Sequence, residues 1–314
     1  PFGLERAPAS MGGCCSSTAS PPTPKSHPPP KTDESGGVTV SLALFEQLRR
    51  EHTPRGVLSY SSARSFIYGV LDNRGGSVHC VYSDRAEPVE NQAENFQIVD
   101  AGTARVRLVA VEDVLQLRAV RKDLYDKGAG MNLEHIFPQS FLKKGGCTEG
   151  VSDMHHMAPA DVKINGTRSN HRFGEVDEGD MPGHVTLLGK KYLQDSGVAG
   201  SDDGPADPHL SEFDAAEGKF EPCERSEGNV ARAMLYVALI YGERMLGLGL
   251  EGAADEQQRQ RAAWLAPQLG DLKAWSAKDP VDAEERRRNV EIAKVQGNTN
   301  PFVDDPTLVD RVFL

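Results

Sequence analysis

The chain has 314 residues, of which 38% are hydrophobic and 26% charged, values typical of a globular protein with a sizeable core. No run of 18 or more apolar residues occurs, so the sequence predicts no transmembrane helix. The formal net charge of −11 argues against a nucleic-acid-binding protein unless the charge is unevenly distributed.

The charge is unevenly distributed along the chain. Residues 105–175 carry 11 basic and 9 acidic side chains, whereas residues 176–256 carry 6 basic and 17 acidic ones. We therefore predict an acidic loop insertion at 195–228, where Gly and Pro interrupt the acidic runs. Salt screening limits the reach of exposed charges to about 8 Å, so this segment weakens a nucleic-acid interpretation without excluding it.

The N-terminal segment differs from the rest in composition. Residues 1–37 are rich in Pro, Ser and Gly and predict a disordered tail, and residues 38–314 predict one domain. The segment contains Met11-Gly-Gly-Cys-Cys-Ser16, which fits the motif for N-myristoylation of Gly12, with Cys14 and Cys15 as palmitoylation candidates. If Met11 is the start, such lipidation predicts membrane attachment; the alternative is a chance match in a low-complexity tail.

Apolar periodicity predicts the elements of the domain in chain order. The predicted helices are 38–48, 60–68, 112–122, 161–168, 229–246, 257–265 and 283–296. The predicted strands are 77–82, 97–99, 106–111, 133–136 and 185–188, with turns at 72–76 and 172–174. The five cysteines are too few and too dispersed to indicate a disulfide scaffold.

Polar side chains that can take part in catalysis or metal binding are concentrated in three short segments, Asn132–Pro138, Ser152–His156 and Lys163–Asn170. They hold a Glu–His pair, two further histidines, amide side chains and an arginine. Each buried polar group needs a partner, so structural cores rarely use polar residues in this way. The segments therefore predict a functional site.

These residue types suit phosphodiester hydrolysis. A histidine such as His135 can deprotonate water near neutral pH. A hard divalent cation stabilises the charge that develops on the phosphate, and it prefers oxygen ligands such as those of Glu134 and Asn165. If Glu134 and His135 lie on a strand, their side chains leave it on opposite faces.

An ordered set of stretches resembles the endonuclease I family, the periplasmic and secreted non-specific nucleases of the ββα-metal superfamily. The matching stretches cover roughly residues 41–313 and are Tyr60–Arg64, Val78–Tyr82, Asn132–Pro138, Ser152–His156, Ile164–Asn170, Phe173–Glu175, Phe220–Pro222, Gly228–Arg232 with Tyr236, and Arg288–Phe302. The order of the whole set is far more specific than any single motif.

The resemblance implies an α+β fold in which flanking helices surround a ββα finger between Leu133 and Arg168. It implies that His135 is the general base and that Glu134 and Asn165 hold Mg²⁺ or a similar cation such as Mn²⁺ or Ca²⁺. It also implies a metal-dependent endonuclease that acts on DNA and RNA through the phosphate backbone, leaves 5′-phosphate ends, works as a monomer and is secreted or periplasmic.

The sequence offers no direct match for a phosphate-contacting arginine within the finger. Arg168 is the substitute candidate for this catalytic role, with Lys143 and Lys144 behind it. His155, His156 and Asn170 are interpreted as structural residues that orient the finger.

Two alternatives stay open. One is a nuclease restricted to one sugar, which depends on contacts near the 2′ position. The other is a nucleic-acid-binding protein that keeps the finger fold but cleaves weakly.

Overall fold

The computed structural model describes residues 32–74, 77–83, 86–88, 98–100, 105–107, 130–176, 185–188, 210–249 and 254–314. All of these belong to one compact unit, 31–314. The lipidation candidates Gly12, Cys14 and Cys15, most of the predicted tail and the predicted helix 112–122 lie outside the described residues. Within the described ranges, no helix is both long and apolar enough to cross a bilayer.

The strands are short and form several small sheets. They are β1 (Thr32–Ser35), β2 (Val38–Ser41), β3 (Asn73–Arg74), β4 (Ser77–His79), β5 (Ala86–Pro88), β6 (Ile98–Asp100), β7 (Arg105–Arg107), β8 (Met131–His135), β9 (Met157–Asp161), β10 (Arg172–Phe173), β11 (Val185–Leu188), β12 (Ser211–Asp214) and β13 (Lys219–Glu221). One sheet has the order β10–β13–β12–β11, with β10 parallel to β13, and another has the order β3–β4–β5. The pairs β1–β2, β6–β7 and β8–β9 are antiparallel.

Most of the helices among the described residues lie in the C-terminal half of the chain. They are α1 (Leu42–His52), α2 (Tyr60–Phe66), α3 (Gln139–Lys144), α4 (Val162–Arg168), α5 (Glu224–Leu246), α6 (Glu256–Leu265), α7 (Leu269–Lys278), α8 (Ala283–Gln296), α9 (Pro301–Asp304) and α10 (Leu308–Val312). A π-helical turn, Ile67–Leu71, continues α2. Helices mixed with small sheets confirm the predicted α+β class.

Helix α5 forms the centre of the hydrophobic core. Almost all of its residues from Val230 to Gly242 are buried, and it packs against α1, α3, α6, α7 and α9. It ends at Gly247, whose φ of 72° lies in the left-handed region that glycine adopts without a steric penalty. A helix apolar on every side is a buried helix, so α5 is the support on which the other elements pack.

Three predictions for elements are wrong at least in part. The first residues of the predicted helix 38–48 form β2, because they pair with β1 inside the segment assigned to the tail. The predicted turn 172–174 is the strand β10. The predicted loop 195–228 contains β12, β13 and the first residues of α5. In each case pairing with another strand satisfies backbone groups that the sequence pattern leaves unassigned.

Candidate active site

The β8–β9 pair followed by α4 forms a ββα finger. The antiparallel register places Glu134 opposite Ala158 and His135 opposite Met157. Strand β9 runs directly into α4, because the Asp161 carboxylate accepts the backbone N–H groups of Lys163 and Ile164 at 2.8 and 3.0 Å and caps the helix. The prediction of a finger between residues 133 and 168 is confirmed.

Glu134 is a buried carboxylate with one fully engaged oxygen. Its side chain is 4% exposed, and its Oε1 atom lies 3.0 Å from Nη1 of Arg168. The same oxygen accepts a hydrogen bond from the Tyr82 hydroxyl at 2.8 Å. Burial raises the pKa of Glu134, against the opposing effects of Arg168, the Tyr82 hydroxyl and the backbone N–H of His135. Carboxylate oxygens are ligands that divalent cations prefer, so this side chain is chemically suited to hold a metal ion.

His135 occupies the last position of β8, with a different set of partners from Glu134. Its Nε2 atom lies 2.9 Å from the carbonyl oxygen of Val151. A carbonyl only accepts, so Nε2 carries the proton and Nδ1 presents a lone pair. Burial, followed by the neighbouring His156, lowers the pKa of His135 to about 4. The imidazole is thus neutral at physiological pH and able to accept a proton.

Asn165 lies on α4 and is tied to β8 by its amide. Its Nδ2 atom donates to Oδ1 of Asn132 at 2.8 Å. Asn132 and Glu134 are two positions apart on a strand and so share a face, with Cα atoms about 7 Å apart. The bond therefore brings Asn165 to the face of β8 that carries Glu134, and it orients the amide so that Oδ1 is the atom left for a cation.

Arg168, the predicted phosphate contact, is enclosed by protein groups. Its side chain is 1% exposed, and its guanidinium donates to the carbonyl oxygens of His135 and Ile136 as well as pairing with Glu134. It also lies over the ring of Phe173, with Cζ 4.3 Å from the centroid. A guanidinium enclosed in this way holds the end of β8 in place.

The two histidines of the 152–156 segment are both buried and both committed to backbone groups. His155 Nε2 lies 3.2 Å from the Asn298 carbonyl oxygen, and His156 Nε2 lies 2.7 Å from that of Gly150. The His156 ring also lies 5.6 Å from the His135 ring. Through these hydrogen bonds both residues stabilise the loop that carries Val151.

Asp153 joins this loop to the helical core. Its carboxylate is fully buried and accepts hydrogen bonds from the hydroxyls of Tyr236 and Tyr241, both at 2.8 Å, and from Nε2 of Gln296 at 2.9 Å. The backbone N–H of His155 is a fourth donor. The loop is therefore attached through one carboxylate to α5 and α8.

Two exposed lysine side chains lie on the finger. Lys143 and Lys144 are both exposed at the end of α3, and the charge of Lys143 is close enough to lower the pKa of His135, behind the effects of burial and His156. Asn170 is also exposed, just after Ser169, which has a positive φ of 49°. Among these candidates Lys143 and Lys144 are exposed, whereas Arg168 is buried.

A group of three glutamates lies apart from the finger and is also able to hold a metal ion. One carboxylate oxygen from each of Glu175, Glu221 and Glu227 lies within 4.8 Å of the others. Burial raises the pKa of Glu221 to about 8 and that of Glu227 to about 7. Lys278 Nζ lies 3.2 Å from Glu227 and already supplies a positive charge there.

Sequence reasoning assigned no role to several residues that complete the site. Tyr60, Tyr82, Asn132 and Asp153 all stand in the stretches that carry the family resemblance. Their partners are Glu134, His135, Asn165 and the core tyrosines, often more than fifty positions away. The matched stretches were the only signal, and they do not say which side chain meets which.

A strand pair and a helix that carry a glutamate, a histidine and an asparagine are typical of the ββα-metal class of finger. The chain belongs to the Endonuclease I family, whose family model matches residues 122–307. The match includes the whole finger and all of α5 to α8.

The curated relatives include proteins named as ribonucleases and as deoxyribonucleases. The chain is 30% identical over 187 residues to an "Extracellular ribonuclease" of Bacillus amyloliquefaciens, covering 58% of this chain and 53% of that protein. It is 30% identical over 153 residues to a "Periplasmic deoxyribonuclease" of Aeromonas hydrophila, covering 48% and 47%. The chain thus spans about half the length of the curated relatives it matches.

Proposed function

We propose that the protein is an endonuclease that hydrolyses phosphodiester bonds in DNA and RNA. The observation that carries the proposal is the His135 imidazole. It is neutral, it is oriented by the Val151 carbonyl through Nε2, and it presents Nδ1 at the end of the strand that bears Glu134. Fixing one ring nitrogen through a hydrogen bond defines the other as the proton acceptor.

In this mechanism Nδ1 of His135 takes the proton from the attacking water. Its low pKa keeps the ring neutral across the physiological range, so no fraction of the base is lost to protonation near pH 7. The Tyr60 ring, stacked at 5.8 Å, and the His156 ring, at 5.6 Å, restrict the plane of the imidazole. The base is thereby held in one orientation before substrate binds.

Glu134 and Asn165 are the residues that would hold the divalent cation. A carboxylate and an amide oxygen are the donors that Mg²⁺ prefers, and Mn²⁺ or Ca²⁺ also accept them. The donor set fits because Glu134 is buried beside a single guanidinium and Asn165 is fixed by Asn132. When bound, the cation stabilises charge on the phosphate and on the leaving oxygen.

The phosphate contact is reassigned from Arg168 to Lys143. Lys143 is exposed, whereas the guanidinium of Arg168 is buried and donates to groups of the protein. We assign Arg168 the role of fixing Glu134. Lys143 then steers the phosphate toward the base, with Lys144 beside it.

We propose that the enzyme cleaves both DNA and RNA and leaves 5′-phosphate ends. The curated relatives carry the names of a ribonuclease and of deoxyribonucleases. Cations that meet only the phosphate backbone carry no sequence information, which suits a sequence-tolerant enzyme. The extracellular and periplasmic names of these relatives support a secreted protein, and we propose that it acts as a monomer.

The test is digestion of plasmid DNA and of RNA with Mg²⁺ or with EDTA, by wild type and His135→Ala. We expect Mg²⁺-dependent cleavage of both substrates and a loss of at least about 10²–10⁴-fold in the variant, with folding and DNA binding retained. Binding without cleavage by wild type would instead favour a nucleic-acid-binding protein. Undiminished cleavage by His135→Ala would remove this histidine as the base.

A further inference from the structure

Two buried donors converge on one oxygen of Glu134. The Tyr82 hydroxyl lies 2.8 Å from Oε1, and Nη1 of Arg168 lies 3.0 Å from the same atom. Tyr82 is fully buried and Arg168 is 1% exposed. Neither donor therefore exchanges its contact with Glu134 for one with water.

We infer that Tyr82 is a positioning residue of the reaction, which with Arg168 commits Oε1 of Glu134 to the protein and leaves Oε2 to meet the cation. This inference rests on the proposed function, in which Glu134 is a metal ligand. A carboxylate has two oxygens, and two donors on one of them make it a poor partner for a cation. Glu134 is then a ligand through one oxygen in a fixed orientation.

The ring and the hydroxyl of Tyr82 contact different residues. The ring makes an edge contact with Phe220, with centroids 4.9 Å apart, and lies 6.4 Å from Phe173. These contacts do not need the hydroxyl, so Tyr82→Phe keeps the packing and removes the bond to Glu134. Hydrogen bonds that orient a ligating carboxylate typically contribute 10- to 100-fold in metal affinity or activity.

A matched control lies in the same core. The Tyr241 hydroxyl donates to a buried carboxylate, that of Asp153, at 2.8 Å, the same distance as in the Tyr82 pair. Asp153 is not a proposed metal ligand. Tyr241→Phe thus removes a hydroxyl of the same kind from a buried carboxylate outside the proposed metal site.

The experiment titrates Mg²⁺ and Mn²⁺ into wild type, Tyr82→Phe, Tyr241→Phe and Glu134→Gln by calorimetry without nucleic acid. We expect Tyr82→Phe to bind each cation about 10- to 100-fold more weakly and Tyr241→Phe to bind as wild type does. Cleavage by Tyr82→Phe should need correspondingly more Mg²⁺ to reach its half-maximal rate.

The outcomes distinguish the inference from the function beneath it. Loss of binding in Glu134→Gln with wild-type affinity in Tyr82→Phe overturns the inference and leaves the metal site standing. Equal weakening in Tyr82→Phe and Tyr241→Phe also overturns it, since the effect is then a general loss of structure. Wild-type binding by Glu134→Gln overturns the metal site itself.

A second measurement does not depend on the folding of Tyr82→Phe. Infrared difference spectra of wild type with and without Mg²⁺ report whether a carboxylate binds through one oxygen or two, and Glu134→Gln identifies the bands of this residue. One-oxygen binding agrees with the inference, and two-oxygen binding contradicts it.

Discussion

The Tyr60 ring lies parallel to the His135 imidazole, with centroids 5.8 Å apart and planes inclined by only 8°. Tyr60 is 39% exposed, so the stack covers the imidazole where α2 begins, at the protein surface. The contact joins two segments of the chain more than seventy positions apart. It also gives the proposed base a neighbour whose ring and hydroxyl can be tested separately.

Tyr60→Ala should lower kcat on plasmid DNA by about 2- to 10-fold, the rate equivalent of an aromatic pair worth about 0.5–1.5 kcal/mol. The cause is freer rotation of the His135 ring. Tyr60→Phe keeps the stack and should retain nearly wild-type kcat in the same steady-state assay. Equal impairment of the two variants would show that the hydroxyl, and not the stack, is what matters.

Arg168→Ala should lower the free energy of unfolding by about 3–5 kcal/mol, because it leaves the buried Glu134 charge without its partner. Urea denaturation followed by circular dichroism measures this change.

Lys143→Ala is the comparison for Arg168→Ala. It should change stability by less than about 0.5 kcal/mol, as surface substitutions usually do. It should weaken DNA binding for all sequences and lower the slope of log affinity against log salt by about 1. A stable Arg168→Ala variant with weakened DNA binding would restore the original assignment of Arg168 to the phosphate.

Stability should fall on mild acidification. Burial lowers the pKa of His155 to about 4, although Asp153 favours its charged form. Between about pH 6.5 and 4 the unfolded chain binds a proton at this position that the folded chain does not, so the free energy of unfolding falls as pH falls. One such group contributes up to about 1.4 kcal/mol per pH unit.

His155→Gln removes this group, while the amide retains a donor for the Asn298 carbonyl. Urea midpoints measured between pH 4 and 7 should depend less steeply on pH in the variant. An unchanged slope would mean that His155 does not contribute to the acid sensitivity.

Glu221 should make the free energy of unfolding fall as pH rises, which is opposite to the effect of His155. Burial raises its pKa to about 8, helped by Glu175, Glu212 and Glu227 and opposed by the backbone N–H of Val176. The folded chain therefore holds a proton that the unfolded chain releases above about pH 4.5, so this group loses its stabilising effect as pH rises toward 8.

Glu221→Gln imitates the protonated form. Its melting temperature should exceed that of wild type by an amount that grows from pH 5 to pH 8. The exposed Glu217→Gln serves as the control and should show no such trend. A constant difference between Glu221→Gln and wild type would contradict the shifted pKa.

Much of the finger could be predicted from the sequence because its signals are local. The strand at 133–136 and the helix at 161–168 agree with β8 and α4, and Asp161 caps α4 within three residues of its own position. The residue set of Glu134, His135 and Asn165 followed from the chemistry that each side chain offers. The structure brings all three onto this one motif.

Contacts between distant segments could not be predicted. Tyr82 meets Glu134 across 52 positions, whereas the local sequence predicts only that Tyr82 ends a strand. Arg168 was assigned to the phosphate because arginine often binds phosphate, but its burial depends on Phe173 and on β8. Strands β12 and β13 were missed because acidic residues and glycines conceal their pairing.

The Asp153 carboxylate has a consequence for how the enzyme comes apart. It receives donors from α5, from α8 and from the loop that orients the base. Because this loop cannot leave without exposing a buried charge, the base and the central helix should open together as one cooperative unit. A two-stranded hairpin is marginal by itself, yet here His135, the proposed base, lies on a hairpin that is linked through Asp153 to the deeply buried helix α5.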